Sequence, residues 1–183
     1  MMLISRDRAQ YWLERCMEES TETDRESYIR ARGQRMTLFA QTGRAEENLR
    51  ERKAYAEEHL DRAEAWNALV IACMLAEKYE EAYQTVKEAI RRFPQEWELY
   101  ANAGDICGKL GKHEEAFGYW DKSLEIVPSY EAKYSKAFRY QEMGELQKAG
   151  EMFLDIAMDL RREGFDVEAE AEIERARKLL NRE

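Results

Sequence analysis

Displaced by thirty-four residues, the chain coincides with itself at the positions that a packed helical hairpin requires. Trp66 falls on Tyr100, Leu69 on Ala103, Val70 on Gly104, Cys73 on Cys107, Ala82 on Ala116, Val86 on Trp120, Ala89 on Ser123 and Pro94 on Pro128. Small and apolar residues meet their counterparts, and each unit closes on a proline that helix cannot continue through. The register predicts a stack of helix pairs, each leaning on the next. Such a stack carries no built-in chemistry, only a surface, so it points to a binding role.

Two prolines and nine glycines in 183 residues leave few interruptions, and Ala, Glu, Arg, Lys and Leu favour helix, which predicts an all-α chain. Net charge is −9, and the acid excess lies in residues 63–183, where 17 Lys and Arg face 25 Asp and Glu. A polyanion would be repelled, so no nucleic-acid partner is expected. Three cysteines with no CxxC spacing and no early apolar stretch predict a cytoplasmic protein, with no membrane span and no bound metal or other cofactor.

Along the chain, Ser5 is placed to cap a helix with apolar positions Ala9, Trp12, Leu13, Cys16 and Met17, and Thr23 with Glu26 reads as a capping box for a second, with Ile29, Met36, Phe39 and Ala40 inward. A third, highly charged helix runs from Arg44 to about Leu60. Asp61 with Glu64 reads as another cap, opening a helix to about Ala76. The return helix runs from Tyr79 to the stop at Phe93 and Pro94. The next pair turns at Leu110-Gly111-Lys112, where Gly111 suits a left-handed helix end, and stops at Val127-Pro128. A further copy follows with one residue removed between repeats, since Gly144 lies thirty-three after Gly111. A last helix, Phe165 to Leu180, is expected to turn Ala169, Ile173, Ala176 and Leu180 inward and Glu168, Glu170, Glu172, Arg175 and Lys178 outward.

These residues resemble the tetratricopeptide repeat family, whose motif runs aromatic, Leu-Gly, Tyr, Ala, aromatic, Ala, Pro. The first copy is Trp66, Leu69-Val70, Cys73, Ala82, Val86, Ala89 and Pro94, and the second Tyr100, Ala103-Gly104, Cys107, Ala116, Trp120, Ser123 and Pro128. The resemblance implies a right-handed helical solenoid of about ten helices. It divides the chain into N-terminal helices over 1–62, repeats over 63–96, 97–129 and 130–163, and a capping helix over 164–183. Small residues such as Gly104, Ala82 and Ala116 are expected where helices cross, beside the filling rings of Trp66, Tyr100 and Trp120.

Candidates for chemistry are few. His113 stands at the entry to a helix, where a partly packed ring is expected, and no HExxH, phosphate-binding glycine loop or Gly-x-Ser-x-Gly occurs. Cys73 and Cys107 fall on buried stripes and read as inert core thiols, as does Cys16. The paired acids Glu80-Glu81 and Glu114-Glu115 read as first-turn charges on a solvated face. The chain is therefore expected to be no enzyme.

The resemblance implies a concave groove built from the first helix of each pair, holding a peptide or helix of another protein. Projected here, it assigns Asn67, Ile71, Met74, Leu75, Asn102, Asp105, Lys109, Tyr134, Phe138, Gln141 and Glu142 to the groove. The family's carboxylate clamp is not expected, because Asn67, Ile71, Glu131 and Ser135 stand where it needs its cations and second asparagine. The acids around the groove favour a basic or amphipathic segment. The alternative is self-association, a homo-oligomer or a groove filled by the chain's own N-terminal helices.

Overall fold

The computed structural model describes residues 44–181, which form eight α-helices. They are α1 (Ala45–Glu58), α2 (Ala63–Leu75), α3 (Tyr79–Arg92), α4 (Trp97–Lys109), α5 (His113–Ile126), α6 (Tyr130–Glu142), α7 (Leu146–Arg162) and α8 (Asp166–Leu180). No strand occurs among the described residues. The expectations for Ser5, Cys16, the Thr23–Glu26 box and the first two helices lie outside the described residues. The helix limits from Ala63 onward fall within a residue or two of those read from the periodicity.

Each helix packs on the next, and α2, α4 and α6 also touch in turn, so one layer is made of alternate helices. Position in this stack explains composition. α2 has neighbours in α1, α3 and α4, and accordingly buries Ala65, Leu69, Val70, Ala72 and Cys73 around most of its circumference. α3 carries the narrower stripe Ala82, Tyr83, Val86 and Ala89, spaced for a single buried face. Most residues aligned by the thirty-four-residue register are interior: Val70, Cys73, Ala82, Val86, Ala89, Ala103, Cys107, Ala116 and Ser123 are fully buried, and Trp120 nearly so, whereas Pro94 and Pro128 are exposed at the helix stops.

Four helix ends share one device. After α2, Lys78 N–H donates to Cys73 O at 2.9 Å and Glu77 N–H to Met74 O at 3.0 Å, the crossed pair that satisfies the last carbonyls. The same pair recurs after α4 (Lys112 to Cys107, Gly111 to Gly108), α6 (Glu145 to Tyr140, Gly144 to Gln141) and α7 (Phe165 to Leu160, Gly164 to Arg161). The geometry needs positive φ at its pivot. Gly111, Gly144 and Gly164 supply it at 75°, 78° and 89°, whereas the first copy holds Glu77 at 56°.

Four expectations change. The Asp61–Glu64 cap does not form: Arg62 is the N-cap of α2 and no side chain bonds there. In α8, Leu179 is buried and Leu180 only partly so, and Glu172 is 8% exposed rather than outward. Glu172 turns inward because Tyr134 Oη on α6 donates to its Oε1 at 3.1 Å and Arg175 Nε lies 3.4 Å from its Oε2. Glu115 is not merely a solvated charge either, since Tyr83 Oη donates to it at 2.6 Å across α3 and α5.

The interior is divided. One buried cluster runs from Leu49 through α2–α5 to Ala132 at the start of α6, and a second from Ala137 through α7 and α8 to Leu179. Among successive helices, α5 and α6 meet most sparsely. Three residues, Val127-Pro128-Ser129, join them, against the four between α3 and α4. This is the place of the residue missing from the repeat. Phe117 and Tyr140 stack across the seam at 4.4 Å, and Lys136 pairs with Asp121 beside them.

Candidate functional site

An open hollow of about 300 Å³ lies over this seam, lined by Met74 of α2, Asp105 and Lys109 of α4, Trp120 of α5, and Ser135, Phe138, Arg139 and Glu142 of α6. Its existence follows from two glycines. A Cβ on Gly104 would stand 2.4 Å from Trp120 Nε1 and 2.5 Å from Cδ1, so only a bare backbone lets the indole lie against α4. The ring's Nε1 then donates to Asp105 Oδ1 at 3.1 Å. A Cβ on Gly108 would stand 2.4 Å from Arg139 Nη2, so the guanidinium of α6 rests on α4 where a side chain is missing.

Of the residues assigned to the groove from sequence, Met74, Asp105, Lys109, Phe138 and Glu142 come together at the hollow. Phe138 is 43% exposed, a large ring that the core leaves uncovered on one side. Its other side is held: Arg175 of α8 lies 5.3 Å from its centroid and 5.0 Å from that of Phe153, and Phe153 meets Phe138 edge-on at 5.4 Å.

The other assigned residues are placed elsewhere. Asn67 and Asn102 are buried and bonded to each other, Asn102 Nδ2 donating to Asn67 Oδ1 at 2.6 Å and Asn67 Nδ2 to Glu98 Oε2 at 2.7 Å. They tie α2 to α4. Ile71 and Leu75 are half-buried on α2 and do not line the hollow, and Gln141 is exposed beyond it. Tyr134 is half-buried with its hydroxyl turned to α8, and burial, then the Glu172 charge, pushes its pKa up to about 12.

Trp120, Ser135 and Arg139 line the hollow although sequence reasoning does not assign them to it. Trp120 reads from sequence as a packing ring only, and nothing local marks its polar edge as facing outward. For Arg139 one signal exists: Gly108 lies within α4, ahead of the turn pivot Gly111, where glycine is costly unless something must approach its backbone.

Nucleophilic chemistry has little to work with among the described residues. Cys73 and Cys107 are fully buried, and burial raises both thiols to about 11, leaving almost no thiolate at neutral pH. No cluster of three His, Cys, Asp or Glu with metal-binding geometry occurs among the described residues, and no described helix is long and apolar enough to cross a membrane.

The sequence matches no protein-family model and no curated protein. Solved structures are similar. A thermophilic tetratricopeptide repeat protein of Thermus thermophilus, TTC0263, superposes with a TM-score of 0.69 at 18% identity, over 93% of this chain and 90% of that one. A tetratricopeptide repeat protein of Parabacteroides merdae gives 0.60 at 16% identity, over 94% and 73%. The Cut9–Hcn1 hetero-tetramer of the APC/C gives 0.60 at 12% identity, over 97% of this chain but 35% of that one. The chain has the tetratricopeptide-repeat fold, an all-α superhelix of stacked hairpins.

Proposed function

We propose that the chain is a non-catalytic interaction module that holds a helical or extended segment of another protein against α2, α4 and α6, with Phe138 as the principal anchor. The observation carrying this reading is the open hollow at the seam, walled by Met74, Trp120 and Phe138 with polar groups at its rim. Folding left Phe138 exposed while burying Phe153 completely one helix away. Bulky rings beside a cleft are what partner segments use as anchoring points. The similarity to Cut9, which is part of a hetero-tetramer with Hcn1, supports a protein partner in kind.

The charge argument shifts with the geometry. Glu98 is bonded to Asn67, Asp105 receives the Trp120 N–H, and Glu142 pairs with Arg139 Nη1 at 2.8 Å. These three acids are already engaged, which weakens the case for a basic segment, and an amphipathic segment is the better occupant.

Affinity capture with the whole chain, followed by titration of whatever it retains, tests the reading. Phe138→Ala should weaken the captured partner by about 1–3 kcal/mol while the far-ultraviolet dichroism stays unchanged. Ala116→Arg, by contrast, overfills a fully buried site and should lower the melting temperature. Equal retention by the wild-type chain and Phe138→Ala would refute the assignment.

A further inference from the structure

The hollow is close to neutral by formal charge, with Asp105 and Glu142 against Lys109 and Arg139, but the four are not equivalent. Asp105 faces the indole N–H, and Arg139 is held by Glu142 with its side chain only 18% exposed. Lys109 is exposed and makes no ion pair or hydrogen bond among the described residues. The guanidinium of Arg139 lies over Gly108, the residue next to it. Two cations are thus side by side at the end of α4, with one carboxylate committed to only one of them.

The setting sharpens this spot. The protein carries a net charge of −9, so a small positive site at an apolar hollow is a local exception to the surrounding field. Lys109 also offsets the negative end of the α4 dipole. Its side chain is exposed at the lining of the hollow. Within one helical turn on α6, Phe138 offers its exposed face, and Met74 closes the opposite wall with an adaptable thioether. Apolar anchor and bare cation are adjacent.

Building on the proposed groove, we infer that its occupant is an amphipathic helix with an acidic residue within one turn of a bulky apolar anchor. The anchor sits between Met74, Trp120 and Phe138, and the carboxylate meets Lys109 beside Arg139. The acid fixes register and orientation, since sliding the helix by a turn would bring its carboxylate toward Asp105 or Glu142.

Three synthetic helical peptides of identical apolar stripe, carrying Glu, Gln or Lys at one position a turn from the anchor, test this against the whole chain by fluorescence anisotropy. The Glu peptide should bind about two- to fivefold more tightly than the Gln peptide, with the Lys peptide weakest. The gap should narrow with added salt. Lys109→Glu should reverse the order, and Phe138→Ala should weaken all three. If the Lys peptide binds as well as the Glu peptide while Phe138→Ala still weakens both, the acidic-residue inference falls and the groove stands. If none binds, or Phe138→Ala changes nothing, the groove itself is refuted and this inference with it.

Discussion

The two buried clusters, one from α1 through α5 to the start of α6 and the other in the rest of α6 with α7 and α8, use the same hairpin but finish their interiors differently. In the first, the buried polar groups are neutral: Asn67 with Asn102, and Ser123 whose hydroxyl donates to Trp97 O at 2.9 Å. In the second, charge comes in: Glu172 is buried beside Arg175, and a partly buried Lys133 lies between Asp155 and Asp159. Position in the stack accounts for the contrast. An inner hairpin has neighbours on both sides and excludes water, so an unmatched charge there would be costly. The last hairpin has a neighbour on one side only. Its charges keep partial access to solvent, as the 42% exposed side chain of Arg175 does, and α8 presents water with Glu168, Glu170, Glu174, Arg177 and Lys178.

The seam between the clusters is the place to test whether they are separate. Truncating the largest buried ring of each cluster should have the greatest effect. Trp120→Ala and Phe153→Ala should each cost about 3–5 kcal/mol in denaturant unfolding. If the seam separates the clusters as described, hydrogen exchange in Phe153→Ala should accelerate in α7 and α8 more than in α2–α4. Uniform acceleration would show that the two clusters open as one.

A smaller effect tests how tightly the first cluster is closed. Gly104→Ala should destabilise by about 1–3 kcal/mol despite the better helix propensity of alanine, because the new methyl meets the Trp120 ring. Gly118→Ala, on an α5 surface with nothing within 4 Å, should instead stabilise by about 0.5–1 kcal/mol. The same substitution with opposite sign, read from thermal melts, isolates packing from propensity.

Next comes the entry to the second cluster. Ser129 is the N-cap of α6 and accepts from Ala132 N–H at 3.4 Å; among the described helices no other N-cap uses its side chain. Ser129→Ala should cost about 1 kcal/mol. The smallest effect belongs to the first cluster's turn. Glu77→Gly should stabilise by about 0.5–1 kcal/mol, because it removes the penalty of a side chain at φ 56° where the later turns use glycine. A loss of stability would mean that the Glu77 side chain supports the turn in some further way.

Much of this was legible beforehand, for a reason particular residues make plain. Ala82, Ala116 and Ala149 are all fully buried because a helix crossing admits no more than a methyl, and that demand repeats at a fixed spacing. Gly111 and Gly144 marked their turns because only a left-handed pivot needs them there. The groove was harder. Phe138 and Met74 do stand at the wall of the hollow, but Asn67 and Asn102 looked available and are instead bonded to each other, since two side chains thirty-five residues apart meet only when α2 and α4 stack. Glu172 read as outward because its helix is polar around it, yet a hydroxyl from α6 drew it in.

The order of residues was enough to set the helices, their limits, their antiparallel succession and the small positions at which they cross, because these follow from periodicity within one or two hairpins. It took the assembled stack to settle where the interior divides, that Trp120 and Arg139 lie over bare glycine backbone to shape a hollow, and that Lys109 at its lining makes no ion pair among the described residues. Those depend on which side chains from distant turns arrive at the same place, and a helical period specifies a face but not what comes to meet it.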